Sequence, residues 1–352
     1  MSALHQGFLD AAQHIADCLA SECGRPAGEA WTAEIVANHE LFTWWLKNID
    51  DVLAHTPVDL NPINYPGKRG HIRLKPLGII GLITPWNLPV AIPLRTIIPA
   101  VLSGNAVVWK PSEHTPKTAA LLSALFDKHL PPGLVGCIQG DGTHGKALIE
   151  AKLNAIFFTG SVKTGRAVQA LAGTNGIPAT LELGGKDAAV VLADANIERT
   201  AQGVTWAAFG FAGQNCAAIE RCYVHRDIYE PFVEAVVAQT QRLRPMIDVG
   251  PLVTKAQLNI VTAHCDEAVS NGARIVCGGK AEGPGNYFAP TVLVDVPEDA
   301  NVLREETFGP LLPIVPFDDL EADIEIPSNK IGFVKVGAPV EISIDSFPST
   351  DF

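Results

Sequence analysis

The hydrophobic positions of the chain alternate between short continuous runs and helical spacings. Between residues 77 and 171, each apolar run of strand length is followed by a segment with apolar residues at helical spacing. The predicted strands are 78–84, 105–110, 134–139 and 155–158, and the predicted helices are 89–102, 117–129, 146–152 and 163–171. Such an alternation is typical of a parallel sheet with helices on both faces, so we predict a doubly wound α/β fold.

A second α/β unit is predicted beyond residue 181. Its predicted strands are 188–192, 221–224, 274–277 and 291–294, and its predicted helices are 198–211, 229–241 and 255–270. Before the first unit, residues 8–20 and 33–53 have helical spacing, and residues 58–76 have an extended pattern. A chain of 352 residues exceeds the usual size of one hydrophobic core, so two domains are expected.

Composition excludes several classes of function. With 26 basic and 38 acidic residues the formal charge is −12, which disfavours binding to nucleic acid or to an anionic membrane. The longest apolar stretch, 77–98, contains three prolines that would break a membrane-spanning helix. The seven cysteines have no spacing typical of a disulfide framework or a zinc site. We therefore expect a cytoplasmic protein with reduced thiols and no metal.

One glycine motif is ambiguous. Residues Gly140 to Gly145 spell G-x-G-x-x-G between a predicted strand and a predicted helix. A dinucleotide fingerprint also needs an acidic residue about 20 positions later, and residues 151–181 contain neither Asp nor Glu. We interpret the motif as a glycine turn, with the fingerprint as the alternative.

Six short motifs follow one another along the chain, and together they are specific. They are Pro85-Trp86-Asn87-Leu88-Pro89, Lys110-Pro111-Ser112-Glu113, Phe158-Thr159-Gly160-Ser161, Glu182-Leu183-Gly184-Gly185-Lys186, Gly213-Gln214-Asn215-Cys216 and Glu305-Glu306-Thr307-Phe308-Gly309-Pro310. In this order and spacing the chain resembles the NAD(P)-dependent aldehyde dehydrogenase superfamily from about Phe8 to about Glu321.

The resemblance implies an aldehyde dehydrogenase-like fold. A Rossmann-like dinucleotide-binding domain would comprise residues 1–57 and 77–181, and a second, catalytic α/β domain would comprise residues 182–321. Residues 58–76 would form the hairpin through which family members oligomerise, so a homo-oligomer is expected.

The resemblance also implies a small-molecule aldehyde substrate and three catalytic residues. Cys216 would be the nucleophile, because a thiolate adds readily to a carbonyl carbon near neutral pH. The side-chain amide of Asn87 and the backbone N–H of Cys216 would stabilise the oxyanion. Glu182 follows the apolar run 177–181, where an apolar wall would raise its pKa and suit it to act as a base. The alternatives are a structural cysteine, a turn asparagine and a solvated glutamate.

The cofactor residues follow from the same resemblance. Lys110 and Glu113 would hold the adenosine ribose, and the Glu113 carboxylate would repel a 2′-phosphate, which favours NAD over NADP. The remaining candidates are Gly160 and Ser161 at the pyrophosphate, Trp86 in the cleft, and Glu306 and Phe308 at the nicotinamide end. Ordinary surface charges, and a core position for Phe308, are the alternatives.

Substrate and activity are less specified. Arg95 stands at the position where semialdehyde-oxidising relatives bind a substrate carboxylate, which suggests an acidic aldehyde. Gly210 replaces the second arginine of those relatives, so a broad range of aldehyde substrates is the alternative. Glu182 favours hydrolysis over transfer to coenzyme A.

The family pattern begins late in this chain and is lost near Ala322, so we expect a missing C-terminal part and a divergent tail, 322–352. A catalytically impaired chain that only binds dinucleotide, or associates with a full-length relative, is the alternative.

Overall fold

The computed structural model describes residues 1–319. The predicted tail, 322–352, lies outside the described residues. The helices are α1 (Ser2–Asp10), α2 (Ala12–Cys23), α3 (Ala27–Glu29), α4 (Ala37–Val52), α5 (Ala91–Leu102), α6 (Pro116–His129), α7 (Gly142–Glu150), α8 (Val162–Thr174), α9 (Ile197–Phe209), α10 (Tyr229–Thr240), α11 (Lys255–Ser270) and α12 (Asn301–Arg304). A π-helical segment, Ala30–Val36, lies between α3 and α4, and 3₁₀ turns occupy Gly210–Gly213 and Arg226–Ile228.

The strands form two five-stranded sheets and one hairpin. They are β1 (Thr56–Val58), β2 (Gly70–Ile72), β3 (Ile79–Ile83), β4 (Ala106–Lys110), β5 (Val135–Cys137), β6 (Ala155–Gly160), β7 (Ala179–Leu183), β8 (Ala188–Val191), β9 (Arg221–His225), β10 (Arg274–Cys277), β11 (Thr291–Val294) and β12 (Leu311–Phe317).

The first sheet is parallel throughout, in the order β5-β4-β3-β6-β7. From the central β3 the chain builds outward to β5, then returns to β6 on the other side. This is the predicted doubly wound topology, which is confirmed. At such a reversal point the loops after neighbouring strands diverge and leave a crevice at the carboxyl ends of the strands. The ends of β3, β4 and β6 meet here, since Ile83 pairs with both Lys110 and Phe158.

The second sheet has the order β10-β11-β12-β9-β8 and is mixed. The pairs β8–β9 and β11–β12 are parallel, whereas the edge strand β10 is antiparallel to β11. All four strands predicted for this unit are present. Strand β12 was not predicted, because Pro313 and Pro316 interrupt its apolar run.

Packing gives each sheet its own apolar core. Trp109 of β4 is fully buried in the first, and its indole N–H donates to Thr84 Oγ1 at 2.9 Å. Phe209 and Phe232, from α9 and α10, are buried against the second sheet. Helix α7 begins four residues before its predicted start, at Gly142, because the Asp141 carboxylate accepts the Thr143 backbone N–H and caps it.

The predicted extended segment 58–76 contains only a short paired region. Strands β1 and β2 are antiparallel, with Pro57 opposite His71, and their side chains are largely exposed. Its use in joining subunits stays a prediction. Within residues 1–319, no helix is both long enough and apolar enough to cross a bilayer. All seven cysteines are free thiols.

Candidate active site

Two adjoining cavities lie at the carboxyl ends of β3, β6 and β7. The inner pocket, of about 280 Å³, is lined by Trp86, Asn87, Gly160, Ser161, Glu182, Gly184, Cys216, Gln257, Ile260, Glu306 and Phe308, among others. The outer cleft, of about 470 Å³, is lined by Lys110, Glu113, Gly142, Gly145, Lys146, Gly160 and Ser161, among others. Every predicted site residue except Arg95 therefore lines one cavity or both.

Cys216 follows a strained turn at the end of α9. Phe211 and Ala212 have left-handed backbone angles, with φ of 49° and 54°, a conformation that is unfavourable for residues other than glycine. Strain of this kind is found where surrounding contacts over-determine the backbone, often at functional sites.

The sulfur of Cys216 is accessible from the pocket and lies 3.7 Å from Asn215 Oδ1. Partial burial raises the pKa of the thiol; the positive charge of Arg95 opposes this shift, and the Glu306 carboxylate adds to it. Near neutral pH the group is therefore mainly a thiol, and forming the thiolate requires a proton acceptor.

Asn87 connects the loop after β3 to the turn before Cys216. Its side chain is buried, and its Nδ2 donates to the carbonyl oxygen of Gln214 at 3.2 Å. An amide nitrogen carries two hydrogens, so a second donor remains. Gln214 is itself buried, and its Oε1 accepts the Val253 backbone N–H at 2.9 Å. The amide of Asn87 and the chain leading to Cys216 are thus held together.

Glu182 lines the same pocket, but its surroundings differ from the prediction. Along β7 the side chains alternate between half-buried and exposed, and Glu182 is on the exposed side. The expectation of a carboxylate pressed against an apolar wall was wrong, because the run 177–181 belongs to an alternating strand and not to a buried one. The carboxylate is open to water at the pocket.

Glu306 and Phe308 stand on a loop that a buried ion pair holds. Lys186 Nζ lies 2.5 Å from Glu220 Oε2, and both side chains are almost fully buried. Glu220 also accepts the backbone N–H groups of Thr307 and Phe308, each at 2.8 Å. Sequence reasoning missed Glu220, which lies four residues after Cys216 and has no local signal of this role.

The Glu306 carboxylate lies directly over Gly184. A Cβ atom at Gly184 would overlap the Glu306 carboxylate, so the close approach requires glycine. Burial, together with the Glu220 carboxylate, raises the pKa of Glu306 to about 7. The Phe308 ring packs edge-on against Trp86, with 5.7 Å between ring centroids.

The outer cleft has the groups that a dinucleotide needs. Lys110 is buried at the end of β4, and its Nζ lies 3.3 Å from Glu113 Oε2. Burial acts to raise the pKa of Glu113, but its own backbone N–H and Lys110 outweigh this and lower it. Ser161 caps α8 by accepting the Thr164 backbone N–H at 3.3 Å. A cation, a carboxylate acceptor and a helix N-terminus thus fit a ribose and a pyrophosphate.

The glycine motif 140–145 contributes to this cleft. Gly142 and Gly145, in the first turn of α7, line the same cleft as Ser161 and α8. Sequence reasoning favoured a glycine turn over the dinucleotide fingerprint, because the acidic residue that the fingerprint needs is missing. Helix α11 was also not connected with the site, although Gln257 lines the pocket and donates to the Thr307 carbonyl oxygen at 2.7 Å.

Arg95 lies apart from the pocket. It stands on α5 and lines a separate cavity of about 650 Å³ with His55, Arg73 and Lys75. Its positive charge nevertheless opposes the rise that burial causes in the pKa of the Cys216 thiol. Its role in substrate binding stays a prediction.

Comparison with known proteins places this geometry in a family. The chain is 36% identical over 338 residues to the 4,4'-diapolycopene aldehyde oxidase of a Methylomonas species, covering 94% of this chain and 63% of that protein. It is 39% identical over 250 residues to the D-glyceraldehyde dehydrogenase (NADP(+)) of Picrophilus torridus, covering 67% of this chain and 51% of that protein. The chain thus spans less than two thirds of the length of these relatives.

A solved structure has the same fold. Betaine aldehyde dehydrogenase from Staphylococcus aureus, in complex with NAD+, superposes with a TM-score of 0.84 at 26% identity, covering 90% of this chain and 65% of that one. The predicted aldehyde dehydrogenase-like α/β fold is therefore confirmed. The sequence model of the aldehyde dehydrogenase family matches residues 1–332, past the point where the resemblance was expected to end. The chain belongs to the aldehyde dehydrogenase family.

Proposed function

We propose that the protein oxidises an aldehyde to the carboxylic acid with NAD(P)+ through a thioester on Cys216. The observation that carries this proposal is the convergence of Cys216, Asn87 and Glu182 on one pocket that adjoins the Lys110–Glu113 cleft. Residues 1–57 and 77–181 act as the dinucleotide-binding domain, and residues 182–321 act as the catalytic domain.

The first step forms a bond between Cys216 Sγ and the aldehyde carbon. Glu182 accepts the thiol proton, and the carbonyl electrons move to the oxygen. The second N–H of the Asn87 amide and the backbone N–H of Cys216 donate to this oxyanion. One well-placed donor of this type contributes about 3–4 kcal/mol to the stability of the transition state.

Bound beside Trp86, Glu306 and Phe308, NAD(P)+ would supply the hydride acceptor. Loss of the hydride from the tetrahedral carbon then leaves a thioester on Cys216. Glu182 returns its proton to solvent and then removes a proton from a water molecule that attacks the thioester carbon. The C–S bond breaks, the acid leaves, and the thiolate takes up a proton. The exposure of Glu182 supports this role, because the carboxylate must exchange protons with water twice in each cycle.

Cofactor selection rests on the outer cleft and on Glu306. Lys110 and Glu113 hold the adenosine ribose, Gly160 and Ser161 bind the pyrophosphate, and Glu306 accepts from the nicotinamide ribose beside Phe308 and Trp86. The ionised Glu113 repels a 2′-phosphate, which favours NAD. One relative named above uses NADP(+) and another binds NAD+, so we propose NAD(P) with a preference for NAD.

The test is NADH formation by the purified chain with NAD and a panel of neutral and carboxylate-bearing aldehydes, beside Cys216→Ala. We expect aldehyde-dependent NADH that needs no coenzyme A and disappears in the variant. A preference for carboxylate-bearing aldehydes that Arg95→Met abolishes would support the role of Arg95.

Two results would contradict the proposal. Thermal stabilisation by NAD without turnover would identify a chain that only binds dinucleotide. NADH formation that strictly requires coenzyme A would identify an acyl transferase-type dehydrogenase in place of a hydrolytic one.

A further inference from the structure

A buried ion pair from the N-terminal part of the chain contacts two segments of the pocket, the Asn87 loop and the turn before Cys216. Arg25 follows α2, and Glu34 lies in the π-helical segment Ala30–Val36. Arg25 Nη1 is 2.8 Å from Glu34 Oε1, and the two side chains are 1% and 0% exposed. π-Helical turns are rare and frequently occur at functional sites. A buried pair costs desolvation energy, so its presence alone is weak evidence for a stabilising role.

The pair holds the Asn87 loop at two points. Arg25 Nη2 donates to the backbone carbonyl of Asn87 in a short hydrogen bond. The second carboxylate oxygen of Glu34 accepts the backbone N–H groups of Val90 and Ala91, at 3.2 and 2.6 Å. The segment that carries the oxyanion-stabilising amide is therefore fixed both at its own carbonyl and where α5 begins.

The same guanidinium holds the turn that precedes Cys216. It stacks on the Phe211 ring, with Cζ 3.7 Å from the ring centroid. The Phe211 backbone N–H donates to Glu29 Oε1 at 2.6 Å, and Phe211 has the left-handed φ of 49°. The strained turn is thus held from the side of the N-terminal segment, by one ring contact and one hydrogen bond.

The polar atoms around the Arg25–Glu34 pair are not all hydrogen-bonded within the described residues. Among the described residues, Arg25 Nε and Glu29 Oε2 are buried without a hydrogen-bond partner. Buried unpartnered groups oppose stability and are found where geometry is maintained for another reason. A lysine could supply the charge, but neither the two-pronged donation nor the planar stack.

We propose that Arg25 is a positioning residue that fixes Asn87 and the Phe211 turn relative to each other, so that the oxyanion donors meet the carbon attacked by Cys216. It touches no reacting atom and acts through those two segments. The inference rests on the proposed roles of Asn87 and Cys216.

The test compares Arg25→Lys with Glu22→Gln. Glu22 lies on α2 and accepts from the backbone N–H groups of Lys117 and Thr118, at 2.6 and 2.8 Å, so its loss perturbs the same region away from the pocket. We expect Arg25→Lys to lower kcat about 100-fold, since small misplacements of reacting groups have effects of that size. KM for NAD should stay within about twofold, because the cofactor cleft does not touch Arg25. Glu22→Gln should lower Tm but leave kcat unchanged.

A second readout does not depend on turnover. In Arg25→Lys the turn before Cys216 is held less firmly and its accessible sulfur is more mobile, so alkylation by iodoacetamide, followed by mass spectrometry, should be about threefold faster at pH 7. If the wild-type chain makes no NADH, the proposed function fails while this measurement still tests the positioning role. Wild-type kcat and an unchanged alkylation rate in a folded Arg25→Lys would overturn the inference. A fall in the apparent kcat of Arg25→Lys that only follows its unfolded fraction would overturn it equally.

Discussion

Two buried ion pairs support different segments that line the pocket, and they are built differently. Around Lys186–Glu220, each oxygen of the carboxylate accepts a backbone N–H, and the ammonium also donates to Thr307 Oγ1 at 3.1 Å. Around Arg25–Glu34, the guanidinium reaches two segments but one of its nitrogens is unpartnered within the described residues. The first arrangement is typical of a stabilising clamp, and the second of a device that maintains geometry.

The largest effect should come from breaking the satisfied pair. Glu220→Gln leaves the Lys186 ammonium buried without its counter-charge, so we expect the free energy of unfolding to fall by about 3–5 kcal/mol, measured by urea denaturation. Glu305→Gln changes an exposed carboxylate on the same loop and should have an effect under about 0.5 kcal/mol. Equal effects of the two substitutions would show that Lys186–Glu220 is not a clamp.

The sequence predicts the part of the site at the ends of the parallel strands better than the parts formed by loops. Strands β3, β4 and β6 are continuous apolar runs, and Lys110, Gly160 and Ser161 stand where those runs end. These residues lie close together because the strands that they follow are parallel neighbours in one sheet. The contacts of Arg25, Glu34 and Glu220 join segments that are distant in the sequence and leave no periodic signal.

Two details of the site differ from what the sequence predicts: the exposure of Glu182 and the contribution of the glycine motif to the cleft. The exposure of Glu182 depends on the register of β7, where a shift of one residue moves every side chain to the other face. The place of Gly142 and Gly145 in the cleft wall was missed because the motif was judged against a fingerprint whose acidic residue is absent here. In this chain the Glu113 carboxylate lines the same cleft from the loop after β4.

A smaller effect should distinguish the part of the pocket at Glu306, which is proposed to bind NAD, from the part that carries Cys216. A methyl group at Gly184 would overlap the Glu306 carboxylate, so Gly184→Ala should displace it and raise KM for NAD about tenfold, the value of one lost charged hydrogen bond. At Gly185 an added Cβ would meet only Asp187 Oδ1, at 3.3 Å, so Gly185→Ala is the matched control. Steady-state kinetics with varied NAD provide the measurement. A large loss of kcat with unchanged KM in Gly184→Ala would contradict the cofactor role of Glu306.

The last effect, no larger than that of Gly184→Ala, concerns pH and separates the two ends of the proposed cofactor site. A carboxylate accepts ribose hydroxyls fully only when it is ionised, and the pKa of Glu306 is raised to about 7 by burial, whereas that of Glu113 is lowered. As pH falls from 8 to 6, Glu306 takes up a proton while Glu113 stays ionised. KM for NAD should therefore rise by up to about tenfold, as the ionised fraction of a group with that pKa falls.

Variants of Glu306 and Glu113 show which carboxylate causes the pH dependence of KM for NAD. Glu306→Gln is neutral at every pH, so its KM for NAD should be high and flat between pH 6 and 8. Glu113→Gln should raise KM at each pH and keep the slope of the wild type, because the group that titrates is still present. If the slope disappears in Glu113→Gln and persists in Glu306→Gln, the titrating group lies at the adenosine end, and burial over Gly184 is not what tunes cofactor binding.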